Sequence, residues 1–439
     1  MLLNTEIGVE GFSQSNYNIL CRTEDGRILL YNLLYKQLIE LNENELNDLY
    51  KGKIPYDSIL GKALVEMKYV IPEHEVELEY FKFHYNESHF NKEVLSLTIL
   101  TTLACNFSCP YCYENKYGTY MNETTAKQVI NWASGLIDDI KALSINWFGG
   151  EPLLNRKAIR QISESMMVMC KEKSIDYKAG IITNGYLLTP EVVSFLEHLE
   201  IFDVQVTLDG AKPYHDKTKF LKTGMGSYDR ILSNLEHYCM TSKSHNPLRI
   251  RINVSDENYE SIEVLLDHIP PVVKEHSSVY FRWIYPTETS GWKDYSKERA
   301  GQDPYLGIYS LLKMAYEKGY HIDNRCETNN FCFCEADNPC YYTVDPKGYI
   351  YLCTHDYKPE YSIGDVKIGI YQDCMSRYYS FRNVSVLYDS DCIDCKALPI
   401  CNGGCKVFRL RGHKQCIYEK EHLDLYVENI YHKYSLFNV

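Results

Sequence analysis

Residues 95–112 read LSLTILTTLACNFSCPYC. The first seven are, apart from Ser96, leucines and β-branched residues without a helical period, as in a buried strand. The last eight place Cys105, Cys109 and Cys112 with three and two residues between them. A strand that runs straight into such a loop delivers three thiols at its C-terminal end. Further strand-like runs follow at ALSINWF, YKAGIITN, FDVQVTL, LRIRINV and VYFRWIYP. Between them lie amphipathic stretches at Glu123–Lys141, Asn155–Ser174, Thr189–Glu200, Ser227–Ser242 and Asn258–Ile269. Six strands alternating with helices imply an α/β fold with a parallel sheet, whose chemistry lies in the loops at the strand C-termini.

The loop's three thiolates can hold three irons of a [4Fe–4S] cube and leave the fourth open to a ligand. Chance produces this spacing somewhere in such a chain with probability roughly 0.02. The C-terminal cysteines are less ambiguous. DCIDCKALPICNGGC supplies Cys392, Cys395, Cys401 and Cys405, flanked by Cys334, Cys340, Cys353 and Cys416. The central spacing has a chance expectation near ~0.001, so a metal is expected. A zinc ribbon is the competing reading of paired cysteines, although eight thiolates match two cubanes better. Cys21, Cys170, Cys239, Cys326, Cys332 and Cys374 fit no pattern and read as small buried hydrophobes, with Cys332 a close competitor of Cys334 for ligation.

The chain has 439 residues, 17 of them cysteines, and a formal net charge of -13. Its field repels nucleic acid and anionic membranes and favours basic or neutral partners. There is no basic, apolar leader at the start and no run near ~18 apolar residues, so the expected location is cytoplasmic, with no membrane partner. Many cysteines in that reducing compartment point to metal rather than disulfides.

CNFSCPYCYE resembles the three-cysteine signature of the radical S-adenosylmethionine (SAM) superfamily, with Tyr111 before the last cysteine. Gly149-Gly150-Glu151-Pro152, at the end of the next strand, is similar to the family motif whose main chain binds the methionine amino group of SAM. Thr183-Asn184-Gly185 and Thr207-Leu208-Asp209-Gly210 end the third and fourth strands and resemble motifs of the peptide-modifying branch. The resemblance implies a partial (βα)6 barrel over 93–304, with Tyr111, Gly149, Gly150, Glu151 and Asn184 as SAM contacts. HDKTKFLKTGMGSYD departs from the family by carrying Lys219 where an arginine is usual, which leaves that position's role open.

The C-terminal series is similar to the SPASM domain, expected over 334–439 behind a bridging segment, 305–333. That resemblance implies two auxiliary [4Fe–4S] clusters, three in all. The nearer would sit on Cys334, Cys340, Cys353 and Cys405, and the outer on Cys392, Cys395, Cys401 and Cys416. Weak periodicity there implies that metal rather than a large core holds the segment.

Residues 1–92 read as an α+β unit with strands joined through Asp25-Gly26, a third strand at KQLIEL, a helix after Asn42 and another at Tyr56–Tyr69. Residues 75–93 read as a connector. This unit resembles the winged-helix-like recognition element of ribosomal-peptide maturases, where a leader peptide adds to a sheet edge. The whole layout is most similar to streptide-type maturases, which join a lysine carbon to a tryptophan ring carbon. Implied partners are a precursor peptide and a flavodoxin or ferredoxin. In that chemistry a deoxyadenosyl radical takes a hydrogen from the substrate, and an auxiliary cluster accepts the electron lost on ring closure. Asp209, Asp345 and Glu288 are candidates for the general base, each with a structural or solvated role as the alternative.

Three other activities compete: thioether formation, sulfatase maturation and a zinc-stabilised binding module without catalysis. In sulfatase-maturating relatives an aspartate follows the second SPASM cysteine, whereas Thr354 follows Cys353 here. Anaerobically reconstituted protein should carry about twelve irons per chain with matching sulfide. Zinc filling the cysteines with negligible iron would instead select the binding module.

Overall fold

Asp25-Gly26 turns the chain as the sequence implies, with Gly26 at φ +88°, a conformation that costs little only without a Cβ. The computed structural model describes residues 9, 12–52, 54–114, 118–284, 304–323 and 331–437. They fall into a smaller unit, 1–90, 325–337 and 384–439, and a larger one, 91–324 and 338–383. The segment expected as one cysteine-rich domain, 334–439, is thus shared between the two units.

In the smaller unit β1 (Phe12–Gln14) is followed by β2 (Asn18–Arg22), β3 (Ile28–Asn32) and β4 (Gln37–Leu41), and β5 (Val70–Pro72) pairs back onto β1. Strands β2, β3 and β4 form an antiparallel sheet in that order. The helices are α1 (Glu43–Tyr50), α2 (Ile59–Glu66) and α3 (Glu77–Phe90). Asn42 caps α1 reciprocally with Glu45, which satisfies N–H groups that the first turn leaves open.

Strand β3 is buried along its whole length because each sheet face has its own core. On one face Ile28 and Leu30 pack with Leu46, Leu49, Leu64 and Tyr69. On the other, Leu29 and Tyr31 pack with Phe81 and Tyr85 of α3 and with Val386, Leu398, Leu423, Val427 and Ile430. The last five come from the C-terminal segment, which therefore shares an apolar core, contrary to the expectation that metal replaces one. The expected connector is also mostly helix. In α3 the buried residues are Glu77, Phe81, Tyr85 and His89, four apart, and the intervening charges hide this stripe from a hydropathy reading.

The larger unit contains the six expected strands: β6 (Val94–Thr102), β7 (Ala142–Gly149), β8 (Asp176–Thr183), β9 (Ile201–Leu208), β10 (Leu248–Val254) and β11 (Ser277–Trp283). They pair parallel in chain order. Their crossovers carry α4 (Glu123–Ser134), α5 (Arg156–Lys173), α6 (Pro190–His198), α7 (Lys212–Thr218), α8 (Tyr228–Thr241), α9 (Ile262–His268) and α10 (Pro271–Glu275). Since all six strands run one way, their C-terminal ends share one edge of the sheet.

Beyond the expected set, β12 (His321–Ile322) adds parallel to β11, and β13 (Tyr341–Val344) adds parallel to β6. Three short antiparallel strands continue outward from β13: β14 (Tyr349–Tyr351), β15 (Gly364–Asp365) and β16 (Gly369–Ile370). These strands are two to four residues long, too short for a sequence period to register. Among the described residues no helix is long and apolar enough to cross a membrane.

Phe81 is fully buried beneath β3. Phe81→Ala should destabilise the smaller unit by about 3–5 kcal/mol. Amide exchange in β2 and β3 should then accelerate by two to three orders of magnitude, while that of β6–β11 stays as in the parent.

Candidate functional site

The cysteine loop leaves β6 just after a register shift between Leu100 and Thr102, an irregularity that re-aims the chain at the sheet edge. Its backbone is then tied down on both sides. Leu103 N–H donates to Thr119 O (3.0 Å), Ser108 N–H to Phe220 O (2.9 Å) and Lys222 N–H to Asn106 O (3.0 Å). Cys105 is buried and Cys109 and Cys112 are half-buried, and no disulfide joins any cysteine among the described residues. Phe107 N–H approaches Cys105 Sγ at 3.4 Å, and Asn184 Nδ2 lies 3.9 Å from it. Donors aimed at a sulfur stabilise a ligating thiolate, so this loop fits an iron–sulfur cluster.

The end of β7 meets this loop backbone to backbone. A Cβ on Gly149 would stand 2.3 Å from Thr102 O, and one on Gly150 would stand 2.3 Å from Ala104 O. No other residue type tolerates that approach, and Gly149 also sits at φ +121°. Gly150 N–H donates to Thr102 O (3.0 Å) and Glu151 N–H to Ala104 O (2.9 Å), which fixes the two loops against each other.

The carboxylate of Glu151, expected above as a SAM contact, is spent inside the protein. Oε1 accepts from Thr183 Oγ1 (2.8 Å) and Leu153 N–H (3.1 Å), and Oε2 accepts from Asn184 N–H (2.8 Å). Burial pushes this carboxyl up, and the same three donors oppose the shift. Glu151 thereby locks the end of β8 to the end of β7. Asn184 in turn donates from Nδ2 to Asn106 Oδ1 at 2.8 Å, so three strand ends are linked through one chain of hydrogen bonds.

A second network holds the far side of the loop. Tyr111 OH donates to Asp209 Oδ2 (2.6 Å), Thr218 Oγ1 donates to the same oxygen (2.8 Å), and Asn253 Nδ2 donates to Oδ1 (3.1 Å). Tyr111 therefore anchors the cysteine loop to the ends of β9 and β10. Asp209 is 2% exposed and fully committed, which makes it a positioning carboxylate. Asp345 is committed likewise, accepting from Lys347 N–H and Tyr349 N–H at 2.9 Å each in its own hairpin. Glu288 lies outside the described residues, as does Cys326.

The motif containing Lys219 is buried too. His215 Nδ1 accepts from Asp209 N–H (3.3 Å), its Nε2 meets Ser227 Oγ (3.1 Å), and burial holds its pKa well below the usual histidine value. Lys219 is 5% exposed, with Nζ 5.8 Å above the ring of Phe107 in the cysteine loop. Its charge also favours ionised Glu151. Sequence reading did not single out Asn106 or Asn253, and it gave Thr183 no role beyond its place in the motif at the end of the third strand. Their one signal is position, each polar and within a residue of a strand end or a cysteine.

Of the C-terminal cysteines, Cys340 and Cys353 belong to the larger unit, whereas Cys334, Cys405 and the four expected for an outer cluster belong to the smaller one. In the larger unit His355 N–H donates to Cys353 Sγ (3.4 Å), and the His355 ring stacks on Tyr113 at 5.0 Å. In the smaller unit Arg409 Nη2 lies 3.1 Å from Cys392 Sγ. Burial raises the Cys401 thiol, backbone hydrogen bonds from Ile417 and Gly403 oppose the shift, and the charges of Cys416 and Cys392 add to it. Gly404 lets the chain pass close to the segment before Cys416, since a Cβ there would stand 2.6 Å from Gln415 O.

Residues 99–269 match the family model of the Radical SAM superfamily. That match takes in the cysteine loop and both networks, and the protein is an enzyme. The family implies SAM and one [4Fe–4S] cluster, for which Cys105, Cys109 and Cys112 are the fitting thiols. When bound, they supply reductive cleavage of SAM to a carbon radical.

Two curated relatives run along most of the chain. The radical SAM cyclopropyl synthase TigE of Paramaledivibacter caminithermalis is 20% identical, over 89% of this chain and 82% of that protein. A cysteine-type anaerobic sulfatase-maturating enzyme of Clostridium novyi is 21% identical, over 69% of this chain and 85% of that one. Among solved structures, anSMEcpe with bound AdoMet shares the fold at TM-score 0.58 and 18% identity, covering 79% of this chain and 98% of that one.

Glu151→Gln replaces an acceptor by an NH2 group that faces N–H or O–H donors in a buried site, at a cost of about 1–3 kcal/mol. Release of 5′-deoxyadenosine under dithionite should fall ~10- to 100-fold, with iron content unchanged.

Proposed function

We propose that this chain is a radical SAM maturase that closes a carbon–carbon crosslink, between a lysine and a tryptophan, in a ribosomally made precursor peptide. The observation that carries the peptide reading is the open edge of the smaller unit's sheet. Strand β4 has a strand partner on one side alone among the described residues, and Leu38 and Ile39 are only half-buried. The opposite edge strand, β2, is buried along Asn18–Cys21 and offers no such place. An extended leader would pair with β4 through its main chain, and the net charge of -13 favours a leader rich in lysine or arginine.

Relatives named for cyclopropyl synthesis and for maturation of sulfatases and mycofactocin support a side-chain-modifying radical enzyme. Thr354 disfavours the sulfatase activity. Its Oγ1 lies 3.2 Å from Tyr341 OH, and a hydroxyl there supplies no carboxylate base. Auxiliary clusters on the C-terminal cysteines would accept the electron released on ring closure, with Arg409 stabilising the Cys392 thiolate. SAM would lie on the main chain of Gly149 and Gly150, with Asn184 beside it, and flavodoxin or ferredoxin would deliver the first electron.

Reconstituted enzyme incubated with SAM, dithionite and the precursor peptide encoded beside it should give a product lighter by two hydrogens. Fragmentation should place the new bond between Lys and Trp. A bond from Cys would make the enzyme a thioether maturase, and formylglycine in a sulfatase peptide would overturn both. Replacing Cys105, Cys109 and Cys112 by Ala should abolish product and 5′-deoxyadenosine alike. The leader alone should protect amides of residues 37–41 from exchange, and unchanged exchange there would overturn the proposed docking edge.

A further inference from the structure

Helix α3 ends in a histidine whose surroundings the radical chemistry does not explain. His89 is 8% exposed, and its ring stacks on Tyr85 at 3.8 Å. Nδ1 lies 2.8 Å from Tyr85 O, and because a carbonyl only accepts, this nitrogen carries the hydrogen. The other nitrogen, Nε2, is buried and makes no hydrogen bond. The carboxylate oxygen it faces is Asp337 Oδ1, 3.6 Å away.

Asp337 is 2% exposed and oriented by its neighbours. Oδ2 accepts from Phe333 N–H (2.6 Å) and Cys334 N–H (3.1 Å), which leaves Oδ1 turned toward His89, with Lys406 Nζ at 3.4 Å. Cys332 completes the group. One ligand atom from each of His89, Cys332 and Asp337 lies within 4.8 Å of the others. Two ligand atoms on a tetrahedral zinc, each about 2.0–2.2 Å from it, stand about 3.3–3.6 Å apart. The 3.6 Å separation of Nε2 and Oδ1 suits a shared metal better than a hydrogen bond.

We propose that His89, Cys332 and Asp337 form a mononuclear zinc-type site in the smaller unit, separate from the iron–sulfur cysteines and independent of which bond the enzyme makes. Tyr85 O orients the ligating imidazole, as a carbonyl behind a metal-bound histidine does. The Cys332 thiolate and the Asp337 carboxylate together match the ion's two positive charges, and Lys406 beside Oδ1 leaves the four-residue group with one net positive charge. Cys332 releases its proton to solvent when the metal enters. The ion would clamp the end of α3 to residues 332–337. Cys332 would then be spent on this site, which assigns cluster ligation to Cys334.

The test uses the anaerobically reconstituted full chain, incubated with zinc sulfate, briefly treated with EDTA and desalted. Elemental analysis should find about one zinc per chain beside the cluster iron. Zinc should drop at least tenfold in His89→Gln and in Cys332→Ser, with iron and sulfide as in the parent. Zinc K-edge absorption of the unaltered protein should show one sulfur at about 2.3 Å and lighter ligands near 2.0 Å, a readout that stands even where a variant fails to fold. The proposal is overturned by a parent that keeps no zinc, by a zinc shell with no sulfur or several, or by zinc undiminished in both variants. It is also overturned by loss of about four irons in Cys332→Ser, which would make that thiol a cluster ligand.

Discussion

Two carbonyl oxygens, those of Thr102 and Ala104, stand 2.3 Å from where a Cβ would lie on Gly149 and Gly150. The candidate site depends on this contact. It lets the loops after β6 and β7 bond main chain to main chain, which sets the cysteine loop against the segment that resembles a SAM-binding motif. Glu151, held by the same turn, passes the constraint on to β8, and Asn184 returns it to Asn106 beside Cys105. Side chains alone could not hold loops of this kind so closely. Buried carboxylates and amides whose hydrogen bonds are all satisfied rigidify a site, and Glu151 and Asp209 both act in that way.

The second constraint belongs to the smaller unit. A three-stranded sheet is too small to bury two faces by itself, and here one face is closed by α1 and α2 and the other by α3 with residues 386–430. The cysteines from Cys392 to Cys416 therefore ride on an apolar core made jointly by both ends of the chain. Metal at those cysteines would add to an existing fold rather than create one. The same packing brings His89 near Cys332 and Asp337, residues more than two hundred positions away in sequence.

Carboxylates that look catalytic in one dimension turn out to be structural in three. Asp209 and Asp345 both lie at strand ends, where a base would be sought, but each accepts hydrogen bonds from its own neighbourhood on both oxygens. A sequence shows where a carboxylate falls along the chain. Its hydrogen-bond partners are set by which strands become neighbours.

From sequence alone came the parallel α/β series, the Cys105–Cys112 loop and the glycine turn after β7. These are local patterns, period and spacing, which survive in one dimension because each is satisfied within a few residues. The helix at Glu77–Phe90 was not legible, since its buried stripe mixes aromatic, acidic and imidazole side chains. Nor were the short strands from β12 onward, which are held by pairing to β11, to β6 and to one another rather than by propensity. The inward turn of Glu151, the anchoring of Tyr111 by Asp209 and the convergence of His89, Cys332 and Asp337 were decided only by tertiary structure. Each is a hydrogen bond or approach between atoms far apart in the chain, and no local pattern encodes such a distance.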